Sequence, residues 1–371
     1  MSDEVLESYI KQYIDAQDTA EIVFAWQGGE PLLIGIDFFH KAVSLQKKYA
    51  NGKQITNTIQ TNGTLLTDQW CEFFSSQRFL VGLSLDGPEH IHDRYRIDRG
   101  GKPTFELVMN GLSLLKKHGV EFNILTCVTR HSAYQPLEIY HFFKQQDIQY
   151  IQFIPIVERE MNEGAAALSL SNATPPSLLM EESQQTVTNW TVEPEMYGEF
   201  LIQIFNEWVK QDVGTIFVMN FEWALASWMG ISSPVCIFSE ECGRAVAMEH
   251  NGDLFSCDHY VYPEYRLGNV TDGLSNLINL PSQLAFGKTK RDTLPTVCKN
   301  CEVRFACHGE CPKHRFLVSD QNEPGLNYLC SSYKKYFKHI NPYLTTMKQL
   351  IQKGLSASYI TEIMMDHSGP S

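Results

Sequence analysis

The sequence lacks several features, and each absence narrows its function. No apolar run approaches the roughly 18 residues needed to cross a bilayer, so no membrane span is expected. The start, MSDEVLESYIKQYIDAQ, is polar and acidic, without the basic and apolar regions of a secretory leader. Secretion is therefore not expected, and a cytoplasmic location is. Positive charge is scarce: 30 Lys and Arg stand against 43 Asp and Glu, a formal net charge of −13 with no basic cluster. Nucleic acid is a poor partner for such a chain. There is no internal repeat and no low-complexity tract, and a hydrophobic fraction of 43% excludes wholesale disorder. None of the 12 histidines has metal-ligand spacing. The length of 371 residues suits one large domain or two to three modest ones.

The first half alternates between apolar strands and amphipathic helices. The pattern predicts a helix over residues 3–16 and a strand at 21–26 (EIVFAW) that runs into Gln27-Gly28-Gly29-Glu30-Pro31. Further strands are predicted at 57–61, 79–85, 121–129 and 150–156, with helices at 37–49, 68–74, 105–118 and 136–145. Continuous apolar strands each followed by a helix imply a parallel sheet covered by helices, an α/β fold. Chemistry in such folds sits at the C-terminal strand ends, here the turns GGEP, TNG and LDGP. The alternation opens on a helix, so a strand that would precede it is absent from this sequence. Residues 158–194 are polar and read as an insertion, and helices follow at 196–213 and 221–230. Asn251-Gly252 between the apolar runs AVAMEH and LFSCDHY predicts a β-hairpin. A C-terminal helix is expected from residue 331 to about 353.

What the sequence does have is cysteine, unevenly placed. Cys71 and Cys127 are isolated and read as small core residues. The other eight of the 10 lie between 236 and 330. Their spacing is Cys236-x5-Cys242-x14-Cys257, then Cys298-x2-Cys301-x5-Cys307-x3-Cys311, then Cys330. Two sites of four thiolates account for all eight, and iron–sulfur clusters and zinc are both open on ligand type, with disulfides a third option. Only Cys298 and Cys301 form a CxxC pair, whereas zinc sites usually use two, and that favours clusters.

This ordered set resembles the radical S-adenosylmethionine enzymes with a twin-cluster SPASM domain, and among them the anaerobic sulfatase-maturating enzymes. The resemblance is carried by FAWQGGEP, IQTNGTLL, FLVGLSLDGP, VEFNILT, IQFI, NGDLFSCD, RLGN and the eight cysteines, from about residue 4 to 350. It implies a partial (β/α)6 barrel, lacking its first strand, over residues 1–230. A SPASM domain with a β-hairpin would span 231–335, and a C-terminal helix and tail 336–371. One auxiliary [4Fe–4S] cluster would be held by Cys236, Cys242, Cys257 and Cys311, the other by Cys298, Cys301, Cys307 and Cys330. Asp258 matches the family's proposed general base. Gly28, Gly29 and Glu30 would meet the S-adenosylmethionine amino group. Ser84 and Arg96 would lie near its ribose and carboxylate, and Val157 beside its adenine. Trp26 and Trp190 read as packing residues, and His308 and His314 as neighbours of the cysteines rather than ligands.

The activity implied is oxidation of a Cys or Ser in a sulfatase to 3-oxoalanine. A 5′-deoxyadenosyl radical removes hydrogen from the target β-carbon, a carboxylate takes the proton, and a low-potential cluster takes the electron. The partners would be a sulfatase polypeptide and an electron carrier such as a flavodoxin or ferredoxin. A third [4Fe–4S] cluster, held by a C-x3-C-x2-C loop, is part of the family pattern, and that motif is absent from this sequence. The expectation is that the sequence is truncated and that the chain as it stands is inactive as a radical enzyme. Another peptide-modifying enzyme of the same class and a non-catalytic iron–sulfur protein from a degenerate paralogue are the alternatives, with a zinc module beyond them.

Overall fold

The computed structural model describes residues 1–160 and 186–366. Six strands form one sheet in the order β1–β6: β1 Glu21–Trp26, β2 Gln54–Thr61, β3 Phe79–Ser84, β4 Phe122–Val128, β5 Tyr150–Pro155 and β6 Phe217–Val218. The recorded pairings, β1–β2, β2–β3, β3–β4 and β5–β6, are all parallel. The strand–helix alternation read from the sequence is thus the observed one. The two-residue β6 was not foreseen, because it is too short to carry a hydrophobic period. The predicted insertion at 158–194 lies mostly outside the described residues.

The chain divides into two compact units, Met1–Leu125 with Gly243–Phe286, and Thr126–Cys242 with Gly287–Ser371. In the first, helix α1 (Asp3–Asp15) starts at Ser2, whose hydroxyl accepts from Val5 N. Its apolar face, Leu6, Ile10 and Ile14, packs with Ile22 and Phe24 of β1. Gln12 on the same helix donates to Val270 O (2.9 Å) and accepts from Leu274 N (2.7 Å). That fixes α1 to the later segment of the unit. There the predicted hairpin forms as β7 Ala247–Met248 and β8 Asp253–Phe255, and β9 Arg266–Asn269 adds a third antiparallel strand.

In the second unit the C-terminal helix Cys330–Gln352 packs on the helix Met196–Gln211. The approach is close at Gly198, whose N–H donates to Ser332 Oγ (2.7 Å). A helix at Tyr359–Asp366 follows, one turn-rich segment later. Cys71 is fully buried, as its place in an apolar helix face suggests, while Cys127 is only half-buried. Among the described residues no helix is long and apolar enough to cross a membrane.

Candidate functional site

Three turns at the C-terminal ends of β1, β2 and β3 come together in the first unit. Gly28 and Gly29 both take positive φ (101° and 54°), in the left-handed region open to glycine. An added Cβ at either would meet nothing within 4 Å, so their backbone faces open space. Glu30, by contrast, is committed locally. Its Oε1 accepts from Leu32 N (3.1 Å) and Thr61 Oγ1 (2.8 Å), and its Oε2 accepts from Asn62 N (2.8 Å). The carboxylate thereby ties the GGEP turn to the TNG turn.

The third turn carries Ser84, which is buried, and then Asp86. Arg96 makes a two-pronged ion pair with Asp86, Nε to Oδ2 at 2.6 Å and Nη2 to Oδ1 at 3.1 Å. Sequence reasoning treated Arg96 without a partner and missed the ring that organises it. His92 is fully buried, its Nδ1 accepts from Asp86 N (3.3 Å), and its Nε2 faces Thr104 Oγ1 (3.3 Å). Thr104 Oγ1 in turn donates to Arg96 O (2.6 Å). This chain of bonds fixes the tautomer: Nδ1 accepts, so Nε2 carries the proton.

Asp258 follows Cys257 in the short 3-10 turn Asp258–Tyr260. Gln27 Nε2 donates to its Oδ2 (3.1 Å), joining it to the end of β1. The Cys257 thiol (3.1 Å) and His259 N (3.0 Å) donate to Oδ1. The residue is exposed, yet its carboxylate is packed closely enough that burial works against its charge. His259, the Cys257 thiol and Gln27 outweigh burial and hold the carboxyl below its ordinary value. It is therefore ionised at neutral pH and able to accept a proton.

The second unit holds seven of the eight clustered cysteines. Cys298 interacts electrostatically with Cys301 and Cys330, Cys307 with Cys298 and Cys330, and Cys330 with Cys301. These four line a cavity of about 340 Å³. Cys236 interacts instead with Cys242 and with Cys311. The short link from Cys307 to Cys311 thus passes from one group to the other. Cys257 belongs to the first unit.

Burial pushes the Cys298 thiol up to about 11 and that of Cys307 up to about 12, and it raises Cys242, Cys311 and Cys330 as well. Free thiols so placed stay protonated and inert, whereas coordination by a metal deprotonates them outright. Among the described residues no three His, Cys, Asp or Glu side chains converge on a single ion. Four thiols spread around an open cavity suit a multi-iron cluster better than one zinc, whose ligands stand about 2.3 Å from the metal. The donor set therefore fits the clusters that the cysteine spacing suggests. Val157 is buried in the second unit, and the Trp190 indole donates to Glu158 Oε2 (2.7 Å).

Residues 1–143 match the radical SAM superfamily and residues 236–302 an iron–sulfur cluster-binding domain, SPASM. Together these matches indicate [4Fe–4S] clusters as cofactors. A serine-type anaerobic sulfatase-maturating enzyme of Bacteroides thetaiotaomicron is 47% identical over 369 residues, 99% of this chain and 87% of that protein. The cysteine-type enzyme of Clostridium perfringens is 35% identical, covering 95% of this chain and 90% of its own. Among solved structures, native anSMEcpe with bound AdoMet superposes with a TM-score of 0.81 at 33% identity, over 94% of this chain and 90% of that one. The same protein with AdoMet and the Cp18Cys peptide also gives 0.81.

Proposed function

Because the chain belongs to the anaerobic sulfatase-maturating enzymes, radical SAM enzymes with a SPASM domain, we propose that it takes part in oxidising a Cys or Ser of a sulfatase to 3-oxoalanine. The serine-type relative at 47% identity favours serine as the preferred target. S-adenosylmethionine together with a third cluster, whose C-x3-C-x2-C ligands this sequence does not contain, would supply a 5′-deoxyadenosyl radical, and the auxiliary clusters would offer a sink for the substrate's second electron.

The chain's own residues hold, orient and deprotonate. The open backbone of Gly28 and Gly29 receives the amino group of S-adenosylmethionine, with Glu30 bracing the turn. Arg96, aimed by Asp86, meets its carboxylate, while Ser84 stands near the ribose and Val157 on the adenine side. Asp258 accepts the proton lost by the target thiol or hydroxyl. Cys236, Cys242, Cys257 and Cys311 hold one auxiliary cluster, and Cys298, Cys301, Cys307 and Cys330 the other. The reading extends to a sulfatase polypeptide as partner, a flavodoxin or ferredoxin as electron carrier, and the cytoplasm as the reducing setting that eight paired-off thiolates require.

One observation carries this reading. The hydrogen bond from Gln27 to Asp258 links the turn after β1 with the carboxylate beside Cys257, which supports a proton acceptor at the strand ends. The test is Asp258→Asn in a preparation that cleaves S-adenosylmethionine. Cleavage is expected to persist, while oxidation of a sulfatase peptide, followed by mass spectrometry, falls at least 100-fold, the order general-base loss produces. Unchanged oxidation removes Asp258 from the mechanism.

A further inference from the structure

Three ionisable side chains are almost wholly buried beside the cysteines of the second unit: Lys290 (0% exposed), Arg315 (1%) and Glu310 (1%). Two are cations and one is an anion. Such a surplus of buried positive charge is costly unless an anion stands nearby. The hydrogen-bond partners do not supply one. Lys290 Nζ donates to the carbonyls of Cys236 (2.5 Å) and Ile237 (2.8 Å). Arg315 donates only to carbonyls: Gly309 O (2.8 Å), His308 O (2.8 Å), Glu310 O (3.0 Å) and Lys290 O (2.5 Å). Glu310 is engaged by His314 Nδ1 (3.0 Å) and Asn327 Nδ2 (2.7 Å).

The backbone around Arg315 is unusual. His308, Gly309 and Glu310 all take positive φ (47°, 73° and 53°), a left-handed turn that L-residues resist. This turn is the x3 of Cys307-x3-Cys311, and its three carbonyls all accept from the one guanidinium. A Cβ on Gly309 would come within 2.7 Å of Arg315 Nη2, so the cation is seated against the turn itself. Glu310 is the first anionic partner of both cations, and one carboxylate cannot balance two; beyond it Arg315 interacts electrostatically with Cys298, Cys307 and Cys311, members of both cysteine groups, whereas Lys290 interacts with Cys242 and Cys311 of one group.

We propose that Lys290 and Arg315 are the built-in counter-charges of the two auxiliary clusters, Lys290 serving the Cys236–Cys242–Cys311 cluster alone and Arg315, seated in the Cys307–Cys311 turn, serving both. The inference rests on the cluster reading of the eight cysteines. A nearby fixed cation favours the reduced, more negative state of a cluster and so raises its reduction potential. The two residues are positioning and charge-balancing groups; neither is a ligand. With one cation shared, the two potentials are tied together, and with a second cation on one side only, they are set apart.

The test is potentiometric titration followed by electron paramagnetic resonance, with iron and sulfide content, on anaerobically reconstituted wild type, Lys290→Met, Lys290→Arg and Arg315→Lys. Wild type containing zinc without sulfide defeats the cluster reading itself and is told apart at this first step. Given clusters, Lys290→Met is expected to lower one auxiliary potential by at least a tenfold change in the one-electron equilibrium, about 59 mV, and to leave the other in place. Lys290→Arg is expected to keep both. Arg315→Lys keeps the charge but not the fork, so both potentials stay together while iron content falls. If Lys290→Met loses one cluster outright and Lys290→Arg retains it, the counter-charge role stands. Both potentials unmoved in fully loaded Lys290→Met, equal shifts in both, or failure of Lys290→Arg to keep the cluster overturns the proposal.

Discussion

His92 sits with no exposed surface between Asp86 and Thr104, and burial lowers its pKa from 6.5 to about 4. The folded protein therefore binds fewer protons at this ring than the unfolded chain does between those two values. Stability contributed by the neutral ring is full above pH 6.5 and is lost as pH falls towards 4, about 3 kcal/mol in all. Denaturant unfolding of wild type and His92→Asn across pH 4 to 7.5 checks this. The stability gap between them is expected to be widest at neutral pH and to shrink in acid, and parallel curves would contradict it. The same ring steadies Asp86 and hence Arg96. None of this was legible in HDRYRIDRG, where Arg96 stands among other charged residues. The partner of Arg96, Asp86, lies 10 residues back, in the turn after β3, and only the fold brings the two together.

Elements with a clear period were the readable ones. The predicted 136–145 helix is the observed Pro136–Gln145, and the apolar runs at 21–26 and 79–85 are β1 and β3 within a residue. Among the elements that escaped, β6 and β9 are short strands that owe their existence to the strands they pair with rather than to their own pattern. The helix pair Met196–Gln211 and Cys330–Gln352 offers a test at this scale. A Cβ on Gly198 would meet the Ser332 backbone at 2.7 Å, too close for any side-chain adjustment to relieve. Gly198→Ala is expected to destabilise the protein by about 1–3 kcal/mol in urea unfolding, the usual range for overpacking. Because Cys330 begins the second helix, its iron content should fall as well. Wild-type stability with full iron would show that the two helices have room to part.

Across the whole molecule, chemistry and charge divide by segment rather than by overall composition. The net charge of −13 says little about the site, since the side chains of Lys290 and Arg315 are buried beside the cysteines with the one carboxylate of Glu310. The ligand spacing was visible in the sequence because thiolates around a cluster must come from fixed separations along the chain. The cations were not, because Lys290 and Arg315 are ordinary polar residues until the fold removes water from them. Gln27 was likewise silent, since only the return of residue 258 to the end of β1 gives it a partner. The account depends on eight cysteines forming two four-thiolate sets that hold [4Fe–4S] clusters. Metal and acid-labile sulfide analysis of anaerobically prepared protein tests it most directly. The account predicts about eight irons and eight sulfides per chain from the two auxiliary sets. Stoichiometric zinc with no sulfide would contradict it.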